Sequence, residues 1–412
     1  MRRHSSIGTG IAGMLAATLI GACSAPAASP SLAPVSASPS ATPAVSSTPA
    51  GSAQASASAS AEPTDDGGGA GSLAWTEAAI FEADDGVLLV SDVSAWSGGF
   101  IAIGHAWTEG PVGGGGEPRI WTSDDGRAWE ETAPNFGPDA LELAGILPLS
   151  GGGVVVIGNA RAATTGPKAR AFRSGDGVTW AELDLPTEIA EAGDVRVASG
   201  PIGHLIITPD EIWYSADVES WQQAFVAPSG VTFGEPAAGD EGFVTWASTT
   251  GSDPMIYASG DGVTWFEGTT SVGLFRVAPW RGDWFGWGFV ADPPAMTVFR
   301  SANGLDWSAA GELADLVGPD GPTYKAGMDS EVTELTLSGD GGVLLATLGW
   351  NHCCAQPPRG VATVVTTDGE TWLPTGLPED AYVSAIATDG SVVVAVGHLE
   401  RGARVGFWVA DR

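Results

Sequence analysis

From Leu73 onward the chain is built of short apolar runs cut by glycine, serine and aspartate. Arg119-Ile120-Trp121-Thr122, Ala171-Phe172-Arg173, Met255-Ile256-Tyr257-Ala258 and Val298-Phe299-Arg300 are rich in aromatic and β-branched residues and predict strands. A second kind of run precedes them, opened by Gly-Gly and closed by Gly: Gly98 to Gly104, Gly152 to Gly158 and Gly341 to Gly349, with Ser391 to Gly397 as a last copy. The pattern predicts an all-β chain of antiparallel hairpins.

One punctuation mark recurs. SGDGVTW occurs at Ser174, Asp176, Gly177 and Trp180, and again at Ser259, Asp261, Gly262 and Trp265. Looser copies lie at Ser123, Asp125, Gly126 and Trp129, at Thr366, Asp368, Gly369 and Trp372, at Ser301 to Trp307, and in a worn form at Ser215 to Trp221. The tryptophans return at intervals of roughly 40–65 residues, against about 40–50 for a four-stranded propeller blade. Serine and aspartate accept hydrogen bonds from the turn's own N–H groups, glycine supplies a positive φ, and tryptophan buries a ring against the next sheet. The motif resembles the Asp-box (BNR) repeat of sialidase-like β-propellers, in a version one residue shorter. The resemblance implies a structural turn remote from any reaction centre, and ligands taken over the channel mouth on the opposite face.

Six boxes mark six blades. The last run is followed by Val405-Gly406-Phe407-Trp408 and lacks an outer strand, whereas Leu73-Ala74-Trp75-Thr76 resembles one. A seventh blade closed by the N-terminal strand is therefore expected, with six blades plus a partial hairpin as the runner-up. Closure removes exposed edges.

The first 72 residues are of another kind. Arg2-Arg3, an apolar stretch and Ile20-Gly21-Ala22-Cys23 resemble a bacterial lipoprotein signal, 1–22, with Cys23 as the lipidated residue. Residues 24–72 are nearly all Ala, Ser, Pro, Thr and Gly, predicting a disordered tether with a reach of about 40 Å. The expected location is the cell membrane, lipid-anchored and facing outside the cytoplasm, with the monomeric propeller at 73–412.

Charge narrows the partners. The formal net charge is −32, and Lys168 and Lys325 are the only lysines. Such a chain repels nucleic acid and anionic lipid, leaving cell-envelope protein or glycan as partner and membrane contact through the anchor alone. No phosphate loop, nucleophile elbow or HExxH is present.

The propeller register places the long loops 105–118, 159–168, 308–330 and 349–360 on the face opposite the boxes. It also gathers His105, Trp107, Trp350, His352 and His398 on neighbouring blades 6, 7 and 1 as a ligand-binding sector, with His204 on the other face. With Cys353 and Cys354 nearby, the sector suits copper or zinc. The two cysteines alternatively form a vicinal disulfide or stay free. Asp85, Asp139, Asp194, Glu331 and Asp380 form an acidic rim able to take calcium. In the expected binding module no residue is catalytic. The alternative is a sialidase-like glycoside hydrolase, in which Glu331 and Tyr382 form the Tyr–Glu pair and inner-strand Arg196 and Arg276 hold the substrate carboxylate. The family's F/Y-R-I-P motif and a third inward arginine are absent.

Overall fold

A computed structural model describes residues 73–83, 86–107, 116–137, 140–162, 166–249, 254–268, 273–291, 294–312, 331–340, 342–351 and 360–412. The signal, Cys23, the tether, Asp85, Asp139, His352, Cys353 and Cys354 lie outside them. The N-terminal strand is β1 (Thr76–Glu82). Blade 1 holds β2 (Val87–Trp96), β3 (Gly99–Trp107), β4 (Glu117–Ser123) and β5 (Glu130–Thr132). Blade 2 holds β6 (Ala140–Pro148), β7 (Val154–Ala162), β8 (Gly166–Ser174) and β9 (Ala181–Leu183). A short helix, α1 (Thr187–Ala192), leads to blade 3: β10 (Arg196–Gly200), β11 (Gly203–Ile207), β12 (Glu211–Ser215) and β13 (Gln222–Val226). Blade 4 is β14 (Val231–Gly239), β15 (Gly242–Thr249), β16 (Met255–Ser259) and β17 (Phe266–Gly268). Blade 5 is β18 (Gly273–Trp280), β19 (Asp283–Ala291), β20 (Pro294–Ser301) and β21 (Ser308–Glu312). Blade 6 is β22 (Glu331–Asp340), β23 (Val343–Asn351), β24 (Gly360–Thr366) and β25 (Leu373–Pro374). Blade 7 joins β26 (Tyr382–Thr388), β27 (Val392–Leu399) and β28 (Arg404–Asp411) to β1.

The fold is thus a seven-bladed propeller of four-stranded antiparallel sheets, closed as expected by β1 pairing along β28 from Thr76↔Val409 to Glu82↔Arg404. Seven apolar clusters hold it, one between each pair of adjacent blades. Period-two alternation explains why the second strands read as unbroken apolar runs. Phe100 and Ala102 of β3 face blade 7, while Ile101 and Ile103 face blade 2. Both faces are interior, so no polar face is left.

The box turns follow the sequence chemistry. In blade 2 the Ser174 hydroxyl accepts the Gly177 N–H at 2.8 Å, and Asp176 accepts the N–H groups of Val178 and Thr179 at 2.9 and 2.6 Å. The same bonds in blade 4 hold the Asp261 carboxyl down at about 2, chiefly through the N–H groups of Thr264 and Val263. Gly126, Gly177, Gly262, Gly304 and Gly369 have φ between 74° and 76°. Each also meets the preceding blade: a Cβ on Gly262 would lie 2.2 Å from the Tyr214 ring. Glycine is therefore needed twice, for the turn and for the blade contact. In the worn box Val218 takes this place at φ 60°, with its side chain buried in the cluster between blades 2 and 3.

Two strand boundaries differ from expectation. The glycines closing the second runs are not strand ends; β3 continues to Trp107 and β7 to Ala162. They lie instead opposite bulges in the inner strands. Val90↔Gly104, Leu143↔Gly158, Glu334↔Gly349 and Val383↔Gly397 each border a register shift. A Cβ on Gly104 would sit 1.9 Å from the Leu89 carbonyl, and one on Gly397 2.2 Å from that of Tyr382. The bulge presses the inner strand onto its neighbour, and only glycine leaves room. As a result 159–168 is largely a regular hairpin, paired out to Ala162↔Gly166, rather than an irregular loop.

Candidate functional site

The inner strands β2, β6, β10, β14, β18, β22 and β26 contact one another in a ring around the axis. Their first residues form one mouth of the channel, on the face away from the boxes. There the bulge of β14 departs from the others. Its register jumps from Phe233↔Ala247 to Pro236↔Thr245, leaving Gly234 and Glu235 opposite Trp246. A Cβ on Gly234 would lie 1.9 Å from Trp246 Cε2, so the indole lies directly against the bulge. The result is a cavity of about 280 Å³, lined by Trp246, Ser248, Glu235, Arg196 and Arg276 among others.

The two guanidiniums differ. Arg196 Nε meets Glu235 at 3.2 Å, its Nη2 meets Asp194 at 3.4 Å, and its Nη1 donates to the Phe233 carbonyl. Its charge is matched, and its position is fixed by the bulge it borders. Arg276 makes no ion pair and no side-chain hydrogen bond among the described residues. The indole N–H of Trp246 is also buried without a partner. An aromatic side chain and a cation with no ion pair among the described residues therefore share one cavity. Such a set can stack a sugar or other flat ligand and hold its carboxylate.

The histidine sector has a different character. His105 lies inside the blade 1 sheet, paired with Leu89 and Pro118, and is 8% exposed. Its ring packs edge-on against Trp107 at 5.2 Å, and burial lowers its pKa. His398 lies opposite Tyr382 in blade 7 and stacks on that ring at 4.8 Å. Burial pushes its pKa down to about 4, so the imidazole is neutral. Both lie near the loop-face ends of second strands in adjacent blades, but each ring packs within its own blade. Trp350 belongs to β23, whose partner there is Gly360. His204 begins β11 on the box face and bonds Ser199 at 2.8 Å. Among the described residues no group of three or more His, Cys, Asp or Glu is arranged to hold a metal ion.

Glu331 and Tyr382 do begin the adjacent inner strands β22 and β26. Tyr382, however, is 8% exposed beneath His398. Of the acidic rim, Asp194 is engaged with Arg196, and Asp380 accepts the Glu400 N–H at 3.3 Å. Trp246 and Glu235 were not singled out by sequence reasoning. Pro236 within a strand-like run, two residues after Gly234, is the signal of a bulge that marks them.

No family model matches the chain, and no curated protein does. Solved structures match its fold. The β-propeller domain of the Trilobed protease from Pyrococcus furiosus has a TM-score of 0.50 at 10% identity, over 80% of this chain and 96% of that one. It is described as having an open velcro topology, whereas here β1 closes on β28. The GH74 xyloglucanase from Xanthomonas campestris has a TM-score of 0.47 at 16% identity, over 82% of this chain and 56% of that one. Trypanosoma rangeli sialidase has 0.43 at 13%, over 80% and 57%. The chain thus spans little more than half the length of the xyloglucanase and sialidase chains it resembles. What it shares with the Pyrococcus furiosus domain is the propeller fold.

Proposed function

We propose that the protein is a lipid-anchored, extracytoplasmic binding propeller whose loop-face cavity takes a short glycan bearing a carboxylate. The observation that carries this is Arg276, which has no ion pair or side-chain hydrogen bond among the described residues, beside Trp246 in a chain of net charge −32. A cation left free where carboxylates outnumber it is matched by a ligand instead. The indole offers the stacking face for a sugar ring, and Arg196, held by Glu235 and Asp194, shapes the wall. Calorimetry of the full chain with uronate- or sialate-bearing oligosaccharides and their neutral counterparts tests the reading. Acidic sugars should bind, and Arg276→Gln or Trp246→Ala should each weaken them by about tenfold or more, the worth of one charge-assisted bond or one stacked ring. Equal affinity for neutral sugars, or none for either, would sink it.

Anchoring rests on Ile20-Gly21-Ala22-Cys23. Cys23→Ser should release the protein from membranes or leave the signal uncleaved; a processed variant still bound to membranes would contradict the anchor.

Glycoside hydrolysis is the second reading, favoured by the arginine pair and by Glu235 in the same cavity. Turnover of fluorogenic sialosides, lost in Glu331→Gln and Tyr382→Phe, would establish it. The burial of Tyr382 under His398 weighs against a nucleophilic role for that phenol.

A further inference from the structure

The channel's other mouth, on the box face, is a cavity of about 560 Å³. Two guanidiniums meet in it over Gly342. Arg281 Nε lies 2.8 Å, and Arg412 Nη2 3.3 Å, from the point that a Cβ on Gly342 would occupy. Neither arginine forms an ion pair or a side-chain hydrogen bond among the described residues. Two like charges so close repel each other unless an anion lies between them. Below them is Trp280, 6% exposed, with Arg281 at 5.1 Å over its ring and its own indole N–H unpartnered.

The backbone supplies an independent observation. Arg281 has φ 49° in the two-residue turn Arg281-Gly282 between β18 and β19. The corresponding hairpins elsewhere put glycine at their positive-φ positions: Gly99, Gly152, Gly153, Gly203, Gly242, Gly342 and Gly390. A turn of this type takes Asn-Gly or Gly-Gly without strain. Strained positions concentrate where the side chain has a task. Here the strain places a guanidinium at the mouth of the channel.

We propose that this mouth binds a small organic oxyanion, a carboxylate or a phosphate monoester, chelated between Arg281 and Arg412 above Trp280. The channel behind it, about 260 Å³, is lined by Asp92, Ser94, Ser199 and Ser338 together with Val197 and Val277, and takes the remainder of the molecule. Asp240 and Asp340 line the same mouth. Asp340 is occupied by the Thr388 N–H at 2.7 Å, and Asp240 is exposed at the rim. These carboxylates and the net charge of −32 repel polyanions, which restricts the ligand to a small molecule.

The site is distinct from the loop-face cavity, and its test removes that cavity's free arginine. In the full chain carrying Arg276→Gln, phenylphosphate and benzoate are titrated by calorimetry at low and high salt. One or both should bind with an affinity of about 1 mM or tighter, weakened by salt. The arm that responds identifies phosphate or carboxylate as the group held. Adding Arg281→Gly should lower affinity about tenfold or more while raising the melting temperature, since glycine relaxes the turn. Arg412→Gln should lower affinity similarly. No binding of either probe at about 10 mM, well above that affinity, overturns the assignment. So does wild-type affinity in both variants. A fall in melting temperature with Arg281→Gly also overturns it, because the side chain would then serve the fold.

Discussion

Asp92 makes the folded state's stability depend on pH in a direction opposite to that of most carboxylates. It lies in the channel wall on β2, near Ile146, Val197, Val277 and Leu337. Its Oδ1 accepts the Val93 N–H at 2.8 Å, and its Oδ2 accepts the Ile146 N–H of the next blade at 3.3 Å. Burial raises its pKa from 3.8 to about 7, against the two hydrogen bonds that lower it, and the Glu235 charge adds to the rise. In the unfolded chain the group ionises near 3.8, so between 3.8 and about 7 the folded state holds a proton that the unfolded state has lost. Stability from this group therefore falls as pH rises through that window and is constant above it. The interval corresponds to at most about 4 kcal/mol, less whatever channel water recovers. Asp92→Asn removes the cost of ionisation but turns its NH₂ toward one of the two N–H donors, losing about 1–2 kcal/mol. The variant should be more stable than wild type by about 2 kcal/mol at pH 8 and less stable by about 1 kcal/mol at pH 4, crossing near pH 5. Urea unfolding of both proteins at several pH values measures this, and the difference between them cancels the repulsion of the other acidic groups. A difference that does not change with pH would refute the reasoning.

Ser174→Ala should cost about 1–2 kcal/mol by denaturant unfolding, because the buried hydroxyl joins Gly177, Asp176 N–H and the Asp176 carboxylate. Closure depends on Phe81, whose half-buried ring meets Phe407 at 5.6 Å and Trp121 at 6.2 Å. Phe81→Ala should cost about 2 kcal/mol, below the value for a fully buried ring, whereas deleting 24–65 should leave the melting temperature unchanged. His398, held at about 4 by burial, should show an NMR titration well below 6.5. Its contribution is complete above 6.5 and is lost as pH falls toward 4, so His398→Phe should flatten acid unfolding over that range.

The parts of the fold that were legible are those whose bonds are local. Each box closes its hydrogen bonds within seven residues, so Ser174 to Trp180 can be read without knowing what lies beside it. The seventh blade was legible because Trp75 and Val405-Trp408 are halves of one repeat. The bulges were not: Gly104 and Gly397 look like strand ends in the sequence, and only the cross-strand carbonyls of Leu89 and Tyr382 show that they are points of close approach. His105 and His398 lie in blades 1 and 7 toward the loop face and His204 toward the box face, as expected, while His352 is outside the described residues. Their exposure depended on whether the ladder continued past Gly104, and it does, so His105 is an interior residue rather than a loop residue. Trp246 and Arg276 lie on different blades, and a bulge in β14 shapes the cavity they share.

The arginines show where this acidic surface is incomplete. Arg119 holds Glu117 and Glu131, Arg127 holds Asp411, Arg170 holds Glu182, Arg173 holds Glu219, Arg300 holds Asp283 and Arg404 holds Glu400. Surface pairs of this kind add little stability, but with acidic groups in such excess they form wherever a carboxylate is within reach. Arg276, Arg281 and Arg412 form no ion pair among the described residues, and each lines one of the two mouths. Two of them come from one hairpin: Arg276 lies near the start of β18, and Arg281 just past its end. A strand rises about 3.3 Å per residue, so the two positions are about 17 Å apart along the channel. Blade 5 thus supplies the free charge at both ends of the propeller, and substitutions there can separate the two sites without touching any box.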